Sequence, residues 1–140
     1  MKNAIAKAIY DILKADGTLT TALGGNAANG YKIYHVIARQ GESVPYVTFG
    51  LLDASPLGTF ADPRAIDDTV WWFNVFSKTG SKDAGEIAGY LSDVLDNANL
   101  AVAAYTSLKC VYDFMGSDIY DPDTGIYQIP MRYRIQVDKT

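Results

Sequence analysis

From Tyr127 to Val137 apolar and polar positions alternate without a break: Tyr127, Ile129, Met131, Tyr133, Ile135 and Val137 against Gln128, Pro130, Arg132, Arg134, Gln136 and Asp138. A period of two over that length predicts a strand with one dry and one wet face. Just before it, residues 121–125 have the composition of a tight reversal, with Pro122 presetting its φ and Gly125 free to take a positive one.

The rest of the chain divides by the same reading. Ile5, Ala8, Ile9, Ile12 and Leu13 fall on one face of a helix over 3–14, with Asp16 and Gly17 as its stop. Residues 18–23 suit a further short turn, and the glycines and asparagines of 24–30 suit a loop. Residues 33–36 read as a short strand. A longer strand follows over 44–52, with Val47, Phe49 and Leu51 on one face and Pro45 at its entry.

Residues 53–68, with two prolines, one glycine and four aspartates, lack regular periodicity and read as a long loop or contact arm. The next strand, 69–78, is apolar on both sides: Val70, Trp72 and Phe76 on one, Trp71, Phe73 and Val75 on the other. Ser81 has the character of a helix cap, with Asp83 and Glu86 in the first turn and Ile87, Ala88, Leu91, Val94 and Leu95 along a stripe reaching Asn97. A strand over 107–114, with Leu108, Cys110, Tyr112 and Phe114 in phase, is expected to pair antiparallel with the closing strand through the Asp121 turn.

This order predicts one α+β domain, with a mostly antiparallel sheet of about four to five strands and two main helices on one face. Two helices cover only one side. Trp71, Phe73 and Val75 are assigned to the other, where they would form an apolar patch that monomers seldom keep. At roughly 25 cal/mol per Å² their burial would favour association, so these three residues are the candidate interface of a homo-oligomer. Pro130 removes a ladder donor, which places the closing strand at an edge or at a bulge.

Composition narrows the function. A chain of 140 residues, 49% of them apolar, suits a single core that buries roughly 70% of the unfolded surface. The net charge of -4 and the scattered Lys and Arg argue against specific nucleic-acid binding, and one cysteine cannot form an internal disulfide. Lys7, Asp11 and Lys14 interrupt any signal-like apolar run, and no stretch reaches a membrane span, so a soluble protein of a reducing compartment is expected.

Catalytic chemistry finds no support. His35, the single histidine, has no Cys, Asp or Glu partner nearby in sequence, and Cys110 is read as a small buried hydrophobe. Asp121, Asp123 and Gly125 begin like a calcium loop that lacks its later carboxylate. The glycines at 24, 25 and 30 do not have the spacing of a nucleotide cradle. No enzyme, metal or cofactor is expected.

Several stretches carry a resemblance in a fixed order. They are Tyr34, then Pro45 to Phe49, Val70 to Ser77, then Ala84, Ile87, Ala88, Leu91 and Leu95, then Tyr120 and Asp121 through Gly125 to Tyr127, and the arginine-bearing final strand. Together they resemble, nearly end to end, the tail-completion or tail-terminator proteins of long-tailed bacteriophages. The resemblance implies a hexameric ring, without cofactor or catalysis, that caps the head-proximal end of the tail tube, halts tube polymerisation and meets the head connector or head-closure protein. The implied partners are therefore the chain itself, the tube protein and the head-side protein, with no membrane, in a virion tail assembled in the host cytoplasm.

DNA passing through such a ring would slide past an acidic lining, for which Asp53, Asp62, Asp67 and Asp68 are the candidates, either there or at inter-ring contacts. Another neck or tail component, such as a head-closure or tube protein, is the first alternative. A small cytoplasmic ligand-binding α+β module is the other.

Overall fold

A computed structural model describes residues 1–28, 30–58, 61 and 65–139. The apolar stripe at the start forms α1 (Lys2–Lys14), which buries Ile5, Ala6, Ala8, Ile9 and Leu13. Asp16 ends that run and starts another: its carboxylate accepts from the Leu19 amide at 3.0 Å and caps α2 (Gly17–Leu23). Gly24, at φ 75°, closes this second helix in the left-handed conformation that glycine adopts without a Cβ penalty. The third helix, α3 (Ser81–Leu95), buries Ala84, Ile87, Ala88, Leu91 and Leu95. Gly80, not Ser81, stands at its N-cap, and the Ser81 hydroxyl donates instead to Asp118.

Six strands are present among the described residues: β1 (Ile33–His35), β2 (Tyr46–Leu57), β3 (Ile66–Ser77), β4 (Thr106–Met115), β5 (Ile119–Asp121) and β6 (Ile126–Asp138). They form one sheet in the order β1-β2-β3-β6-β4, with β5 also paired to β6. β1 runs parallel to β2, and the other pairs are antiparallel. The fold is α+β, as the periodicity predicts.

The three helices pack on one face of the sheet. Val47 and Phe49 from β2, Trp71, Phe73 and Val75 from β3, and Ile129, Met131, Tyr133, Ile135 and Val137 from β6 meet the helical stripes in a single core. Rings lock the layer: Phe49 stacks on Phe73 at 5.8 Å, and Tyr133 meets Phe73 edge-on at 5.8 Å. Two buried hydrogen bonds run in series, from the Trp71 indole N–H to Thr69 Oγ1 (3.0 Å) and from the Thr69 hydroxyl to the Ile135 carbonyl (2.6 Å).

Three expectations are corrected here. The stretch read as a long irregular connection is largely strand, because β2 runs on to Leu57 and β3 starts at Ile66, with Leu57 opposite Ile66. A shift in register between Leu51 and Asp53 breaks the alternation and hides that continuation from a period-two reading.

The strand bearing Pro130 is not at an edge, since β6 lies between β3 and the β4–β5 pair. Pro130 sits where the neighbour of β6 changes from β5 to β4, and its carbonyl accepts from the Gly116 amide at 2.8 Å. A residue's N–H and C=O point to the same side of a strand, so the missing donor falls at that break and β3 loses no bond.

Two register shifts in β4, at Leu108 and at Asp113, break the phase read for that strand. Cys110 and Tyr112 lie opposite Ile135 and Tyr133 on the helix side, whereas Phe114 lies opposite Arg132 on the other side.

Candidate functional site

Trp71, Phe73 and Val75 are fully buried beneath the helices of the same chain and offer nothing to a second copy. The strand has two apolar rows as expected, but their sides are reversed: the uncovered row is Val70, Trp72, Asn74 and Phe76. Both rows are large and apolar, so period two gives their spacing and leaves open which lies under the helices.

The uncovered face is carpeted by its own side chains. Tyr34 meets Tyr46 edge-on at 6.2 Å, and Tyr46 lies 5.0 Å from Phe76. The Gln128 amide donates to Asn74 at 3.0 Å. Arg134 pairs with Asp68 at 2.5 Å, and Gln136 donates to the same carboxylate at 3.1 Å. Arg132 stands 5.1 Å over the Phe114 ring. These contacts leave Trp72, Asn74 and Phe76 half-buried without a second layer of protein.

The four aspartates proposed as a lining are placed apart in role. Asp53 is exposed on β2; Asp67 is buried on β3, opposite Pro56 and Val137; Asp68 holds the Arg134 ion pair. Asp62 lies outside the described residues. Three of the four are thus parts of the sheet, which a loop reading could not show.

The remaining candidates carry no reactive arrangement. The His35 ring packs at 5.3 Å from Phe49, in phase with the core row of β1. Cys110 is buried, and burial, reinforced by the Asp96 charge, pushes its thiol up to about 12, far from a nucleophile's range. The Asp121 carboxylate accepts from the Asp123 amide at 3.0 Å and Gly125 takes φ 72°, so this segment is a turn. Among the described residues no group of three or more His, Cys, Asp or Glu could hold a metal ion, and no helix is long and apolar enough to cross a membrane.

Two apolar exposures at opposite margins of the sheet went unread in the sequence. At the β1 margin, Val36 takes φ 73° and the Ile37 amide donates back to the His35 carbonyl at 2.9 Å. This three-residue turn is a rare, strained one for a β-branched residue. It leaves Val36 58% and Ile37 78% exposed. A clasp anchors the segment behind it: Tyr34 donates its hydroxyl to Glu42, which also pairs with Arg39 at 3.2 Å. That bond, more than the remaining contacts, holds the Glu42 carboxyl below its ordinary range, while burial foremost raises the Tyr34 phenol.

At the far margin, Tyr112, Met115 and Tyr120 are each between 42% and 52% exposed on the helix side of β4 and β5, while Ile119, opposite Gln128, faces the other side. Tyr112 leans edge-on against the buried Tyr133 at 5.9 Å and Tyr120 packs at 4.7 Å from Tyr127, so both rings are held in place. The bulge at Asp113 sets Met115 opposite Met131, in the row of Tyr112. No period-two reading of the sequence places them together.

Residues 7–138 match the family described as tail completion protein gp17. The chain belongs to this family. Its fold is shared by a chain in the "Virion of native gene transfer agent (GTA) particle", at a TM-score of 0.78 and 18% identity over 94% of this chain and 92% of that one. A second solved chain aligns at a TM-score of 0.67 and 12% identity, over 97% and 94% of the two chains. No curated protein sequence matches significantly. Membership of the tail completion family agrees with the resemblance read from the residues, and with its placing of the chain among structural proteins of phage-type particles.

Proposed function

We propose that this protein forms a ring of identical subunits, six in number, that caps the head-proximal end of a phage-type tail tube, stops tube growth and joins the tail to the head. The match to the tail completion family across residues 7–138 carries this reading. The fold shared with a chain of a gene transfer agent virion supports it, because that chain too is part of an assembled particle. The proposed neighbours are further copies of the chain, the tube protein below and a head-side closure protein above. The role is structural and needs no turnover of substrate.

A ring of this kind requires a heterologous contact, in which one patch of each subunit meets a different patch of the next. The two margins of the sheet are different from one another, as such a contact demands. Electron microscopy of particles made in a host lacking this gene tests the role. Headless tails of uncontrolled length are expected, and normal virions would overturn the proposal.

A further inference from the structure

We propose that the subunit contact is made by the strained turn of one copy, Val36 and Ile37, seated on the apolar strip of Tyr112, Met115 and Tyr120 of the next. This deepens the ring reading and rests on it. Three observations point to a second copy as the occupant.

First, the two patches lie on opposite margins of one sheet, β1 on one side and β4 with β5 on the other, so a single translation and rotation brings knob to strip and repeats. A self-matching patch would give a dimer and stop.

Second, the shapes differ in the required sense. Val36 and Ile37 project from a turn whose backbone is held by the Val36 amide to the Phe49 carbonyl at 2.7 Å. The strip offers ring faces fixed by Tyr133 and Tyr127 beneath them. An anchored aliphatic knob against rigid aromatic side chains loses little conformational freedom on docking.

Third, the charges are opposite. Lys32 and Arg39 flank the knob, with Glu42 as the one acid among them and already engaged by Tyr34 and Arg39. Asp113, Asp118 and Asp123 lie beside the strip, and all three are exposed. Of the basic residues near that margin, Lys109 and Arg132 lie opposite Gln136 and Trp72 on the other face of the sheet, and Lys82 follows Ser81, whose hydroxyl donates to Asp118, so the acids outnumber it. Like margins therefore repel and unlike margins attract, which fixes the head-to-tail sense.

The test uses the full chain, with Cys110 left in place because its thiol is buried. Carrying Ile37→Cys and Tyr120→Cys together, the chain is expected to give a ladder of disulfide-linked copies under mild oxidation, alone or on purified tails. Each single variant should give no such ladder. Ile37→Asp, at a site already in water and now facing the acidic margin, should keep the folded circular dichroism spectrum and raise the concentration for half-assembly by about tenfold or more, the ratio that about 1.4 kcal/mol gives.

If wild-type rings form while the double variant stays unlinked, or Ile37→Asp assembles at the wild-type concentration, this contact is wrong and the ring stands. Linkage of the Ile37→Cys thiol to the tube protein instead of a second copy also overturns it. If the wild-type chain forms no ring on its own or on tails, both proposals fall together.

Discussion

The indole of Trp72 fills the space in front of Gly50 on the neighbouring strand: its Cζ2 atom stands 2.5 Å from where a Cβ on Gly50 would be. The two residues are register partners on the uncovered face, so the large ring there is accommodated by the smallest side chain opposite. Gly50→Ala is expected to lower stability by about 1–3 kcal/mol, the range found for overpacking. In a Trp72→Val background the same change should cost clearly less. Urea melts of the two singles and the double measure this coupling, and strict additivity would refute it.

The Tyr133 hydroxyl donates to Ser92 Oγ at 2.8 Å and ties α3 to the centre of the sheet. Ser92→Ala leaves that buried phenol without its acceptor and is expected to cost about 1–3 kcal/mol. Tyr133→Phe removes the donor and leaves the half-buried serine able to turn elsewhere, so a smaller loss of about 1 kcal/mol follows. Equal losses, or a smaller one for Ser92→Ala in thermal unfolding, would contradict the asymmetry.

Thr69 relays a hydrogen bond from the Trp71 indole to the backbone of β6. Thr69→Val keeps the shape and strands the indole N–H in the core, at about 1–3 kcal/mol. Thr69→Ser restores the relay and should recover most of that loss. Tryptophan fluorescence during chemical denaturation reads both.

With its thiol pushed to about 12, Cys110 is expected to resist iodoacetamide at mildly alkaline pH in the folded protein. It should react stoichiometrically once denaturant opens the core. Rapid labelling of the native chain would show that β4 leaves the sheet more readily than its packing implies.

The Tyr34 to Glu42 clasp makes one pH-dependent contribution. The folded Glu42 carboxyl lies below its unfolded value, so the stabilisation is complete above the ordinary glutamate range and is lost as pH falls through the lower folded value. Near the surface it amounts to no more than about 1 kcal/mol. Acid titration of the urea midpoint should bring the wild type and Glu42→Gln together at low pH and separate them at neutrality, with the wild type higher. Parallel curves would exclude the clasp.

What the sequence made legible follows from which physical rule each segment obeys. The first and third helices and the strand from Ile126 obey a single period, and their faces were readable residue by residue, whereas the seven residues of α2 are too few to show one and read as a turn. The strand around Trp71 obeys its period too, but with both rows apolar nothing local states which one meets α1 and α3. The continuation of β2 past Asp53 and the turning of Phe114 away from the core depend on inserted residues, which reset the phase without a compositional mark. The exposed apolar margins fared worst. Val36 takes a positive φ that no β-branched residue advertises, and Met115 shares a row with Tyr112 only because a bulge aligns them.

An interior position in the sheet, between β3 and the β4–β5 pair, goes to β6, the last of these strands to be synthesised, although its partner β3 is complete some sixty residues earlier. On the ribosome the first three strands must therefore wait with one long flank open. Assembly of the domain is a closing step and not a gradual accretion of hairpins, so its rate is set by a distant pairing and falls among the slow folders of this size.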